Sequence, residues 1–471
     1  STLAPPARIL AVCGSGSEDN TMTRYLTALW PDRRTLWRWH FFAGLCCLPF
    51  VAFLSVTGAI YLFKPQIDAW IDWKYDHLPA AVSPSPEGEV HAALAAVPHS
   101  AFLAYELPHS PHSAARVLLT RQDGQAVRVY VDRNTHAVLK TILEESRFER
   151  LIFRLHGQLL LGNIGSIIME MVASWTIVLV ITGLLLWWPR GGQRLAGVVY
   201  PRLGADSRTR WRDLHAVTGV WTSVFLVLFL VSGLPWSFVW GHALQSVENT
   251  VGRLTSVKDW EIGSVPAATV IAGHPPTPPA SAPAPNTMDM PGMDMPDTPA
   301  PVPEQRQLAG LDTVMQAASA LSWPAPVLVT PSGPLWTIRS DTQNRPLRET
   351  MTITPSGHVT AHSTFAQKGM VDRIIGYGVA AHEGQLFGWA NQIMNMLVAG
   401  GLLLMSSAAT LLWLKRKPAR GLGAPPALHS QKNGFAGIAL LMVLALVLPE
   451  LGASLLILAL AALAMRARRK P

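Results

Sequence analysis

Leu36-Trp-Arg-Trp-His-Phe-Phe-Ala-Gly44 and Arg212-Asp-Leu-His-Ala-Val-Thr-Gly219 open two long apolar stretches in the same manner. In each, a histidine is followed four residues later by a glycine and fourteen residues after that by another: His40, Gly44, Gly58, and His215, Gly219, Gly233. A second matched pair leads into two further apolar stretches, His156-Gly-Gln-Leu-Leu-Leu-Gly162 and His382-Glu-Gly-Gln-Leu-Phe-Gly388. From His156 to Trp187 is 31 residues, and from His382 to Trp413 is also 31. Each half therefore reads as span, loop module, histidine segment, span, both in the same direction. Such parallel halves are expected to be related by a pseudo-twofold axis along the membrane normal.

The apolar stretches are long enough to decide the protein's solvent. The 471 residues are 49% hydrophobic and only 14% charged, against about 25% charged in an ordinary soluble protein. A helix needs roughly 20 apolar residues to cross a hydrocarbon core about 30 Å thick. Residues 41–63, 167–188, 216–240 and 390–414 qualify as spans. The apolar region 435–465 is too long for one span and is broken by Pro449-Glu450, which predicts a hairpin of two short ones.

The net charge of +8 is not a nucleic-acid signature, because the basic residues sit where spans end. They cluster at Arg33, Arg34 and Arg38; at Arg190, Arg194, Arg202, Arg208, Arg210 and Arg212; at Lys415, Arg416, Lys417 and Arg420; and at Arg466, Arg468, Arg469 and Lys470. Placed on one side, these clusters mark the cytoplasm by the positive-inside rule. Both termini are then cytoplasmic and the loops 64–150 and 241–380 lie outside. Residues 1–21 read poorly as structure, with Met22 as the expected start and the first span as an uncleaved anchor. Cys13, Cys46 and Cys47 all fall outside those two loops, so neither a disulfide there nor a CxxC metal site is expected.

Each outer loop carries a helix-then-strands pattern. In the first, 90–97 reads as a helix, Val127-Arg-Val-Tyr-Val131 alternates with period two, and Asp132-Arg-Asn-Thr-His136 supplies a turn. In the second, 311–321 reads as a helix, 335–339 and 349–353 as strands, and Pro355-Ser-Gly357 as a turn. Between Pro275 and Pro303 lies a proline-crowded insert holding Met288, Met290, Met293 and Met295. Such a segment cannot bury a core. Its soft thioethers suit Cu(I), and a flexible linker with incidental methionines is the competing reading.

The four matched histidines carry the chemistry. Ionisable residues at membrane depth are functional candidates by default. A twofold axis brings His40 to His215 near one face and His156 to His382 near the other. Two facing neutral imidazoles suit the axial positions of a haem iron, whereas zinc normally takes three or four protein ligands. Gly44 and Gly219, one turn after their histidines, are expected to let a flat macrocycle approach, with ordinary small-residue helix packing as the alternative. Arg38, Arg154 and Arg212 are candidates for haem propionates, or for lipid headgroups and topology. Glu383 and Asp213 are candidate acceptors behind the ligands, and His242 is a lower-ranked competitor ligand. His91, His99, His109, His112 and His136 read as loop histidines or a metal site. The tryptophans at span ends read as an aromatic belt. No nucleotide-binding glycine loop follows a strand, so electrons are expected from a membrane quinol or a separate redox partner.

At these motifs, and at Ala173-Ser-Trp175, Leu186-Trp-Trp-Pro-Arg190 and Ser232-Gly-Leu-Pro-Trp236, the chain resembles the PepSY-associated transmembrane family, which includes bacterial inner-membrane ferrisiderophore reductases. The likeness covers most of 33–418. The residues predict a membrane α-helical bundle of four core spans in two parallel repeats plus a C-terminal hairpin, and the likeness implies that the two periplasmic α+β modules are PepSY-like. The divisions are a cytoplasmic segment 1–35, span 36–63, module 64–150, histidine segment and span 151–190, cytoplasmic loop 191–210, span 211–240, module 241–380, histidine segment and span 381–414, linker 415–433 and hairpin 434–466. The activity it implies is reduction of a periplasmic ferric complex, an iron-siderophore, by electrons carried on haem b, with two haems expected. A copper-handling membrane protein and a non-enzymatic PepSY interaction protein are the alternatives.

Overall fold

The computed structural model describes residues 31–189, 195–251, 308–418, 421–424 and 434–468. Four of its helices are long and apolar enough to cross a membrane. These are α1 (Arg33–Leu62), α5 (Gly162–Trp187), α6 (Ser207–Gly233) and α10 (Trp389–Arg416). At 1.5 Å per residue the 30 residues of α1 extend about 45 Å, well beyond a hydrocarbon core. Asp32 starts α1 by accepting hydrogen bonds from Arg34 N and Thr35 N, and Asp206 starts α6 by accepting from Arg208 N and Thr209 N.

These four helices are packed for lipid rather than water. Large apolar side chains point outward: Trp221 is 64% exposed, Val224 74% and Leu397 66%. Many buried positions are hydroxyls, including Ser55, Thr57, Ser174, Thr176, Thr182, Thr222 and Ser406. Several spend their proton on the carbonyl one turn back, as Thr176 does on Val172 and Thr182 on Val178. Small residues let the backbones close in, with Gly401 of α10 set against Thr218 and Thr222 of α6. Cys47, Val51, Val172, Leu226, Val398 and Leu402 form the apolar centre of the bundle.

Shorter helices complete the chain. α2 (Lys64–Ile71) and α3 (Pro86–Ala96) follow the first span, and α4 (Phe148–Gln158) precedes the second. α7 (Phe238–Val251) follows the third, while α8 (Leu311–Ser319) and α9 (Met370–His382) precede the fourth. The apolar C-terminal region forms α11 (Phe435–Val447) and α12 (Pro449–Arg468), separated at Pro449 as its sequence requires. The 13 residues of α11 reach only about 20 Å, less than a full crossing.

The sequence divides the loops into two modules, but the strands make one sheet. β1 (Ser100–Glu106), β2 (Ala115–Arg121), β3 (Ala126–Val131) and β4 (Val138–Leu143) form one antiparallel meander. β5 (Val327–Ser332), β6 (Leu335–Ser340), β7 (Glu349–Ile353) and β8 (Val359–Thr364) form another. They join edge to edge through Tyr105↔Val329 and Glu106↔Leu328, giving the order β4-β3-β2-β1-β5-β6-β7-β8. Joining β1 to β5 removes two exposed strand edges. α3 and α8 cover one face together, with Val90, Ala93, Leu311 and Val314 packed on Phe102, Val117, Val129, Trp336 and Ile338.

The sheet is fastened to the ends of the spanning helices. Arg128 is gripped by Glu106 and by Glu144, the latter at 2.8 and 3.1 Å, and Arg147 reaches Glu144 at 2.9 Å. Tyr130 donates to Asp72 just past α2, and Gln66 of α2 donates to Gln392 of α10 at 3.0 Å. Buried ions of this kind persist only because each has partners. The far face of the bundle is equally well marked. Arg33 at the start of α1 donates to the Leu186 carbonyl at the end of α5, and Lys415 at the end of α10 donates to Ser207 at the start of α6.

Candidate functional site

The fold brings the four matched histidines together as two pairs. On the far side, His40 of α1 and His215 of α6 have ring centres 6.2 Å apart, with planes at 79°. On the sheet side, His156 of α4 and His382 of α9 have centres 6.4 Å apart, with planes at 84°. Two rings this close could hold one metal centre between them.

Hydrogen bonds fix which nitrogen of each ring is free. His156 Nδ1 lies 2.9 Å from Thr57 Oγ1, and His382 Nδ1 lies 2.9 Å from Ser232 Oγ. Thr57 already donates its proton to the Phe53 carbonyl and Ser232 to the Leu228 carbonyl. Each hydroxyl is thus left to accept, and the imidazole must donate from Nδ1. The same reasoning holds for His40, 3.0 Å from Thr182 Oγ1, whose proton goes to Val178. His215 Nδ1 faces the Met405 carbonyl at 3.1 Å, and a carbonyl only accepts. All four rings therefore carry hydrogen on Nδ1 and a lone pair on Nε2, the tautomer that binds metal. Burial pushes His156 down to about 3, with the facing His382 adding to the shift, and His382 to about 4. Both stay neutral near pH 7.

Local sequence explains the placement. α4 ends two residues after His156, and Leu159 and Leu160 then take left-handed backbone angles and turn the chain into α5. At the end of α9, Asn395 donates to the carbonyls of Ala381 and His382 at 2.8 and 3.0 Å, and Asn391 donates to Ala381 at 3.1 Å. These amides take up carbonyls that the end of a helix leaves without partners. Sequence reasoning missed them. Their signal was a polar run, Asn391, Gln392 and Asn395, within one turn of a largely apolar span.

The glycines set against the rings are Gly58, Gly183 and Gly233. A Cβ at Gly58 would lie 3.2 Å from His156 Cε1, one at Gly183 3.2 Å from His40 Cε1, and one at Gly233 3.9 Å from His382 Cε1. These three seat the rings. Gly44 instead faces Leu179, and Gly219 faces Met405 Sδ, which is helix packing.

The proposed acceptors are also displaced. Asp213 is buried between Arg202 and Arg212, at 2.6 and 2.8 Å, and leaves His215 to Met405. His382 uses Ser232 rather than Glu383, whose carboxyl burial holds above its ordinary value despite Arg345 and Arg348. Arg212 is thus occupied by Asp213, Arg38 lies over the Phe42 ring at 5.7 Å, and Arg154 sits two residues before His156 on α4. Arg345, stacked 4.7 Å over Trp236, is a cation near the sheet-side pair that the sequence did not single out. His242 is exposed and turned to its own helix at the Phe238 carbonyl. Among the described residues no three His, Cys, Asp or Glu side chains converge, so His91, His99, His109, His112 and His136 form no such group. Met288, Met290, Met293 and Met295 lie outside the described residues, as does Cys13.

The arrangement fits a flat metal macrocycle held from two sides better than an ion needing three or more protein ligands. A comparison with curated proteins found no match. The family model for the PepSY-associated TM region matches residues 37–416, which takes in all four histidines and the sheet, and the chain belongs to that family.

Proposed function

We propose that the chain is a haem-containing oxidoreductase of a bacterial inner membrane, carrying electrons across it to reduce a ferric complex, an iron-siderophore, in the periplasm. The observation that carries this reading is the two facing imidazole pairs, each ring anchored through Nδ1. His40 with His215, and His156 with His382, would each hold one haem b. Haem bound there supplies a reversible one-electron carrier near either face. From His40 to Thr57, which holds His156, is 17 residues of α1, or about 25 Å.

The chain's own residues do the rest. The hydroxyls and the Met405 carbonyl fix the rings, and the apolar centre around Val51, Val172 and Leu402 keeps water out between the pairs. The basic ends of α1, α6 and α10 meet on the far side, which the positive-inside rule makes cytoplasmic. The sheet, as two joined PepSY-like modules, then faces the periplasm beside His156 and His382. Electrons enter from a quinol or a redox partner. One electron converts Fe(III) to Fe(II), which hard oxygen ligands hold less tightly.

Haem quantification tests the reading. Two haems per chain are expected, one lost in His40→Ala or His215→Ala and the other in His156→Ala or His382→Ala. Reduced protein is expected to be reoxidised anaerobically by a ferric siderophore, with Fe(II) released to a ferrous chelator. A colourless preparation from haem-replete cells, or unchanged haem in all four variants, would overturn it.

A further inference from the structure

The tip of the C-terminal hairpin brings a second acidic side chain into the membrane-spanning part of the molecule, against one already there. Glu170 lies eight residues into α5, about 12 Å from its sheet-side end. It is buried, and its two oxygens accept from Val239 N at 3.0 Å and Trp240 N at 2.8 Å, in the first turn of α7. Two backbone donors at a helix N-terminus suit a carboxylate anion. Glu450 opens α12 and lies within hydrogen-bonding reach of Glu170. It is 7% exposed, and neither of its oxygens finds a donor among the described residues.

Two orphaned acceptors facing an anion in an apolar surround are not a stable arrangement of charges. Like charges this close do not both ionise. A single proton resolves the whole arrangement: carried by Glu450, it makes that carboxyl a donor to Glu170. We propose that Glu170 and Glu450 form an intramembrane proton-binding site, with one proton shared between their carboxyls.

Among the described residues, α11 brings no titratable side chain to the pair, and α7 brings His242, exposed and turned to Phe238. The basic residues of α12 lie at its opposite end. The surroundings hold the hairpin tip firmly in place. Leu448 and Leu451 are buried, Trp240 Nε1 donates to the Val447 carbonyl at 3.2 Å, and Trp175 Nε1 donates to Ser454 at 3.0 Å. The hairpin lies beyond residues 37–416, so the family match does not extend to Glu450.

Infrared spectroscopy of the full-length protein in nanodiscs tests the site. A protonated-carboxyl C=O band is expected near neutral pH. It should shift in D2O, fade as pH is raised, stay unchanged when choline replaces sodium, vanish in Glu450→Gln and move in Glu450→Asp. The Asp variant serves if the Gln variant does not fold. A band unchanged by both substitutions, or no such band in the wild type, overturns the proposal. So does a band that sodium removes at fixed pH, which would assign the pair to a metal cation.

Discussion

On the sheet side, Thr57 and Ser232 hold His156 and His382 from two spanning helices, and each follows a far-side histidine, His40 or His215, by 17 residues. On the far side the anchors differ: the Thr182 hydroxyl holds His40, but the Met405 carbonyl holds His215. The reason lies in one residue. Thr182 follows His156 by 26 residues, and the position 26 after His382 is Ala408, fully buried and without a hydroxyl. His215 therefore turns to backbone. The geometry of the far pair is nevertheless that of the sheet-side pair to within 0.2 Å, taking 6.2 from 6.4 Å. What both sites keep is an acceptor at Nδ1, whichever atom provides it.

The largest effect should come from filling the glycine seats. On the proposed haem reading, Gly58→Leu drives a side chain into the His156 ring and is expected to remove the sheet-side haem alone. Gly183→Leu is expected to remove the far-side haem alone. Gly44→Ala, whose new Cβ would sit 3.7 Å from Leu179 in ordinary contact, should keep both. Haem stoichiometry of the three variants decides it. Loss of haem in Gly44→Ala would restore the role that its position after His40 first implied.

The glycine seats show where sequence reasoning reached and where it stopped. Spacing along one chain identified the four histidines, because matched intervals survive without knowing which helices touch. It placed the spans to within a turn or two at most ends, because lipid imposes a length and an apolar composition. It could not find Gly183, which seats His40 from a helix 143 residues later, nor Thr182 beside it. Partners across helices are a property of packing. The union of the two meanders was hidden for the same reason, since Tyr105↔Val329 is a pairing between distant segments. β1, β2 and β5 are also buried almost throughout, and their sequences carry no period-two alternation to mark them; β3, equally buried, was legible because Arg128 and Tyr130 interrupt its valines.

A smaller effect should separate the anchors themselves. Thr57→Val, Ser232→Ala and Thr182→Val each remove the oxygen that receives Nδ1–H and leave the ligand in place. Loss of such a partner typically weakens metal binding by about 10- to 100-fold. Transfer of haem to excess apomyoglobin should accelerate accordingly, from the sheet side in the first two variants and from the far side in the third. No side-chain deletion can remove the carbonyl from His215. The double variant Thr57→Val/Ser232→Ala should therefore weaken its site more than any anchor substitution weakens the far one. Equal transfer rates from both sites in that double variant would break the comparison.

The least effect on the haem sites is expected from the ion network of the first meander, which sharpens a contrast within the sheet. Glu106 is buried beneath Arg128, and despite the opposing cost of burial the nearby Arg128 and Arg116 hold its carboxyl down to about 2. In the second meander, Asp341 is also lowered, by Arg348 at 3.2 Å and Arg339, but its side chain is 28% exposed. A carboxyl whose pKa is depressed on folding stabilises the native state above its unfolded value, near 4.5, and that contribution disappears as pH falls towards 2. The shift corresponds to roughly 3 kcal/mol. Acidification from pH 5 to 3 should therefore raise amide exchange in β1–β4 before β5–β8. Glu106→Gln should already show the faster exchange at pH 7, because it leaves Arg128 with Glu144 alone, while both haems are retained. Exchange that rises together in both meanders would mean that the β1–β5 seam couples them into a single unfolding unit, stronger than either ion network.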